Sequence, residues 1–121
     1  MLCQSPPDLM SDMQIGENRL LVEGITHVLP HPIADAFWVS DLIIVLYDPN
    51  AQTGNVGVFE NLVAIHRSGE TAWTAELPTT TTGECYYKIR SRDPLVALSF
   101  GSYACSTDTR TGRIVEKVFT K

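Results

Sequence analysis

His27, His31 and Asp35 follow one another at intervals of four residues. On a helix, that spacing would bring two imidazoles and a carboxylate onto one face, a donor set suited to zinc. Pro30 and Pro32 interrupt the segment and remove the helix. In an extended chain the two histidines share a face but stand about 13 Å apart, too far to chelate one ion without a bend. No metal site is expected. His66, beside Arg67, reads as an exposed turn residue.

Asp48, Asp93 and Asp108 fall at strand ends close to Pro or Gly, where an aspartate caps its own backbone two residues on. A glycosidase needs two carboxylates about 5–9 Å apart across one cleft, and turns on separate hairpins rarely supply that. The run Asp108-Thr109-Arg110-Thr111-Gly112 lacks the alternating acidic ligands of a calcium loop. Cys85 or Cys105 could pair with a histidine as a nucleophile, but no family signature surrounds either. Both read as small buried hydrophobes. A Gly-rich phosphate loop and a G-x-S-x-G elbow are both missing. The chain is expected not to be an enzyme, with no catalytic residue and no cofactor; a hydrolase is the least favoured reading.

Aromatic residues offer the better clue. Adjacent pairs such as Phe37-Trp38 and Tyr86-Tyr87 must point to opposite faces of a strand. One member of each pair fills the core and the other is exposed or covered by a neighbouring chain. Trp38, Trp73, Tyr86 and Tyr103 are the expected interaction surface, since exposed Trp and Tyr are favoured anchors.

The elements that would carry these residues are all strands. At 121 residues the chain is one domain, and 44% apolar against 19% charged residues places it among globular rather than disordered chains. Fourteen acidic against nine basic residues, net −5, argue against nucleic acid or an anionic membrane as partner. The start lacks the basic and apolar regions of a signal peptide. The longest apolar run, residues 42–47, is far short of the ~20 residues of a membrane helix, so a cytoplasmic location is expected. Three cysteines without CxxC spacing do not form a disulfide framework.

Residues 1–18 read as an irregular N-terminal arm with one short helical turn around residues 8–13, and residues 19–121 as a single all-β domain. A first strand is expected over 19–25. A hairpin follows, turning at Ser40-Asp41 into an apolar strand over 42–47, then a loop over 49–59. A second hairpin joins 62–65 to 71–77 through Gly69, whose freedom at positive φ suits the turn. Thr79 to Thr82 form a solvated loop between units. Further strands are expected over 85–90, 95–100, 103–106 and 113–119, the last a half-covered edge.

The second half echoes the first. Asp41-Leu42-Ile43-Ile44-Val45-Leu46-Tyr47 lies over Asp93-Pro94-Leu95-Val96-Ala97-Leu98-Ser99, and residues 65–73 over 107–115. Two four-stranded antiparallel blade-like sheets are expected, over about 36–78 and 84–120, arranged as an incomplete propeller or a sandwich.

Asn61-Leu62-Val63-Ala64-Ile65, Gly69 and Trp73, followed by Ala104-Cys105-Ser106-Thr107-Asp108 and Thr111-Gly112-Arg113-Ile114, resemble PQQ/WD40-like β-propeller repeats, as in small bacterial two-sheet proteins of unknown function. The resemblance spans roughly residues 36–120 and implies a blade-like fold, with no activity and no quinone, because no series of quinone or metal ligands is present. The expected role is a non-catalytic protein-interaction module, in one version an acidic, immunity-like or accessory protein that masks a basic partner. The alternative is a small-ligand or carbohydrate-binding domain that stacks its ligand on Trp38 or Trp73. Open sheet edges make a homodimer a further expectation.

Overall fold

The computed structural model describes residues 13–51 and 57–120. Three successive antiparallel meanders make three sheets. The N-terminal sheet contains β1 (Met13–Gly16), β2 (Arg19–Val22) and β3 (Ile25–Val28). The middle sheet contains β4 (Ile33–Val39), β5 (Leu42–Tyr47), β6 (Leu62–Ile65) and β7 (Thr71–Thr74). The C-terminal sheet contains β8 (Tyr86–Arg92), β9 (Leu95–Ser99), β10 (Tyr103–Thr107) and β11 (Ile114–Phe119). A 3-10 turn, Pro49–Ala51, follows β5.

The middle sheet is covered on both faces. Successive side chains of a strand alternate between faces, and β5 and β6 are apolar at nearly every position. Ile43, Val45, Val63 and Ile65 meet Leu20, Val22 and Leu29 in one core cluster. Ile44, Leu46, Leu62 and Ala64 meet Tyr86, Leu95, Ala97 and Cys105 in another. The outer sheets each bury one face, so their strands are half polar. The result is an irregular three-layer sandwich.

The expected pair of four-stranded antiparallel sheets is present, with β5 and β9 in equivalent places and a turn at Ser40-Asp41. The propeller resemblance is overturned. All three sheets are open and none is curled or closed, whereas a propeller closes about 4–8 blades into a ring. The Asp and Thr-Gly positions that carried the resemblance build an ordinary hairpin turn. Asp108 Oδ1 accepts the Arg110 amide at 2.8 Å, and the Gly112 amide donates to Asp108 O at 2.8 Å.

The N-terminal sheet is larger than the sequence suggests. Met13–Gly16, placed in the arm by sequence, pairs with β2, and the single strand expected over 19–25 is split in two by a turn. Glu23 and Gly24 both have positive φ, 52° and 84°, as a tight type I′ hairpin requires. The remainder of the expected arm, with most of its helical turn, and residues 52–56 of the 49–59 loop lie outside the described residues. No helix among the described residues is long and apolar enough to cross a membrane.

Candidate functional site

Of the four aromatic residues expected at a surface, two are interior. Tyr86 is fully buried between the middle and C-terminal sheets, and its hydroxyl donates to Glu76 O at 2.6 Å. Trp73 is buried in the same layer and donates through Nε1 to Thr109 O at 2.9 Å. Neither can anchor a partner. Trp38 is half-buried against the N-terminal layer, with the Arg67 guanidinium 4.8 Å from its ring centre. Tyr103 is half-buried on β10 beside the ring of Phe119, 5.5 Å away, and the Lys117 ammonium. Its ring adjoins the exposed Phe119.

The exposed partners sit one residue away. Tyr87, next to the buried Tyr86, is exposed and stacks on exposed Phe100 with ring centres 5.0 Å apart. Among the described residues, the large exposed hydrophobics are Ile15, Ile25 and Val28 on the N-terminal sheet and Tyr87, Phe100, Val115, Val118 and Phe119 on the C-terminal sheet or its β9–β10 turn. The middle sheet has none. On the free face of the C-terminal sheet, Val118 pairs with Ala104 and Ala104 with Leu98, a short apolar row running inward from the edge.

Charge is segregated in the same direction. Residues 84–121 hold seven of the nine Lys and Arg but four of the fourteen Asp and Glu. Lys88, Arg90, Arg92, Arg113 and Lys117 are all exposed there. This acidic protein therefore presents a basic, apolar surface at its C-terminal sheet. Sequence reasoning missed the segregation because it summed charge over the whole chain.

Beside this surface lies a recess of about 160 Å³ lined by Thr79, Thr81, Thr82, Gly83, Glu84, Phe100 and Gly101. Glu84 is buried at its base. Its carboxylate accepts from Thr79 Oγ1 at 2.8 Å, Ser99 Oγ at 3.3 Å and the Gly101 amide at 2.9 Å, which compensates for lost hydration. The threonine run thus does more than fill a solvated loop, since one hydroxyl ties the inter-sheet connection to the C-terminal sheet.

The histidines go to separate places. His27 packs against Gly69, and His31 lies edge-on to Tyr47 and Phe59 at 5.2 and 4.9 Å between ring centres. Among the described residues no group of three or more His, Cys, Asp or Glu gathers to hold a metal. Cys85 and Cys105 are free, buried thiols belonging to different core layers. Burial raises the pKa of both, with the Glu84 charge adding to the shift, so both are held as neutral thiols, poor nucleophiles.

A three-sheet sandwich whose exposed apolar groups lie on its outer sheets is the class of molecule this geometry defines. Residues 10–119 match a family described as a domain of unknown function, DUF7957, and the chain belongs to it. No curated protein and no solved structure matches the chain.

Proposed function

We propose that this chain is a non-catalytic protein-interaction module that binds through the free surface and edge of its C-terminal sheet. One observation carries the reading: five large apolar side chains are exposed on this sheet and its turn while the middle sheet exposes none. Tyr87 stacks on Phe100, and Val118 adjoins Ala104 on the free face; exposed apolar groups bordered by charge are the usual mark of a docking surface. The basic character of the surface favours an acidic partner, the reverse of the expectation that an acidic protein masks a basic one. Interfaces select by complementary potential, and here the local charge counts for more than the net charge.

A photo-crosslinking residue placed at Val118, with one at Val28 as the comparison, tests the proposal in cells of the source organism. Adducts with one protein at a defined mass from position 118, and none from position 28, are expected. Equal yields from both positions, or none from either, would count against it.

A second reading is supported by the recess at Glu84. A buried carboxylate beneath an exposed Phe100–Tyr87 stack suits a small ligand with hydroxyl or ammonium groups. The version that stacks a carbohydrate on Trp38 or Trp73 loses its platform, because Trp73 is interior and Arg67 covers Trp38.

A further inference from the structure

Strand β11 is the C-terminal sheet's edge and pairs with β10 on one side only. Val115, Val118 and Phe119 on it are 71%, 52% and 58% exposed, more large apolar exposure than any other edge strand among the described residues carries. Proteins ordinarily guard such an edge with proline, with outward lysine or with a cover. Here the strand contains no proline, its bulge is confined to Val115 near its start, and its one lysine is turned aside. Lys117 Nζ donates to Pro78 O at 3.0 Å and lies 5.3 Å from the Tyr103 ring centre.

The start of the edge is closed, because Glu76 Oε1 accepts the Ile114 amide at 2.9 Å. Beyond it no strand among the described residues pairs with the edge. The Thr120 amide donates to Ser102 O at 2.8 Å on the β10 side. The two-residue alternation of an antiparallel ladder then turns the amides of Lys117 and Phe119 away from β10. They offer regularly spaced donors for another strand.

We propose that the β11 edge takes up an extended acidic segment of another protein as an added strand. The inference rests on the interaction reading above and names the partner's chemistry. Main-chain bonds would supply affinity, and side chains flanking the edge would supply selectivity. Among the described residues, Arg110, Arg113 and Lys117 lie along this edge against Glu116 on the strand and Glu76 at its start. An acidic strand complements that strip. A second copy of β11 carries one glutamate and one lysine and so brings no excess of acid to this edge, and the chemistry favours a different chain.

The test is an amide NMR titration of the full chain with a synthetic eight-residue peptide of alternating glutamate and valine, against an alternating lysine–valine control. Shifts centred on residues 115–119 are expected, with slowed hydrogen exchange at Lys117 and Phe119. Phe119→Pro, which removes an outward donor, should weaken binding several-fold more than Phe119→Ala. Arg113→Glu leaves the backbone untouched; it should weaken the acidic peptide and admit the lysine control. Absence of saturable binding, equal binding of both peptides, or shifts centred elsewhere would overturn the inference, as would self-association that protects the same amides without peptide. The two readings fail separately. A cross-linked partner still captured by Phe119→Pro and Arg113→Glu variants, but lost from a Tyr87→Ser/Phe100→Ser variant, would leave the interaction reading standing and remove strand addition.

Discussion

The side-chain amide of Asn61 grips the backbone of Tyr86 at both ends. Asn61 Oδ1 accepts the Tyr86 amide at 2.9 Å, and Nδ2 donates to Tyr86 O at 2.7 Å and to Tyr47 O at 3.0 Å. Both residues are fully buried. One asparagine therefore fastens the last strand position of β5 in the middle sheet to the first position of β8, and every polar group involved is satisfied. With Tyr86 held inward, Tyr87, at a register shift in β8, is exposed and stacks on Phe100 at the proposed docking surface.

Replacing Asn61 with alanine strands three buried backbone groups. Each unsatisfied group costs about 1–3 kcal/mol, so Asn61→Ala should lose about 3 kcal/mol or more in a denaturant titration. Asn61→Asp should also destabilise, since an ionised carboxylate can accept the Tyr86 amide but cannot donate to either carbonyl.

Trp73 and Gly112 form a second clasp between the same sheets. A Cβ on Gly112 would stand 2.5 Å from Trp73 Cε3, and the glycine has a φ of +79°. Gly112→Ala should therefore cost about 2 kcal/mol from strain and overpacking together. In a Trp73→Leu background the steric part should fall away, leaving a smaller penalty. A double-mutant cycle by thermal denaturation measures the difference.

Alkali should destabilise the fold. Burial raises Tyr86 above its ordinary pKa of 10.0 and Cys85 and Cys105 above theirs of 9.0. These groups are neutral when protonated, so the unfolded chain gives up their protons at lower pH than the folded one. Their contribution is complete below about pH 9 and is lost as pH rises beyond the unfolded values. The midpoint temperature should fall steadily from pH 9 upward. Cys105→Ala should flatten the first part of the decline, and Tyr86→Phe the part above pH 10, after an initial loss of about 1 kcal/mol for the missing bond to Glu76 O.

The ion pair between Arg67 Nη1 and Glu23 Oε2, 2.6 Å apart, joins two exposed turns of the N-terminal and middle sheets. Exposed pairs of this kind contribute about 0–1 kcal/mol. Glu23→Gln should leave the unfolding midpoint nearly unchanged, and a fall as large as that of Asn61→Ala would show that the N-terminal sheet hangs on this contact.

The strands of the middle sheet were legible because doubly covered strands read as apolar runs, and those of the C-terminal sheet because turns carrying Asp, Pro or Gly bound them. Leu42–Tyr47 and the turns at Ser40-Asp41 and Asp93-Pro94 are examples. The N-terminal sheet was not legible. Its strands are four residues long, and two of its turns place glutamates, Glu17 and Glu23, at positive φ, so that Gly24 alone marks a turn inside what reads as one strand over 19–25. The proposed docking surface was less legible. Opposite facing of adjacent aromatics predicted one inward and one outward tyrosine at 86–87, but nothing local told which. The decision belongs to Asn61, 25 residues away in sequence. Likewise, no local pattern marks Lys117 as turned back onto Pro78.

The most direct measurement is a quantitative capture from lysate of the source organism with three baits: the wild-type chain, a Tyr87→Ser/Phe100→Ser/Val118→Ser variant, and an Ile25→Ser/Val28→Ser variant, each first shown to be folded. The account predicts one stoichiometric partner that is kept by the wild type and the N-terminal-sheet variant and lost by the C-terminal-sheet variant. A partner kept by the C-terminal-sheet variant, or recovery of every bait alone, would contradict it.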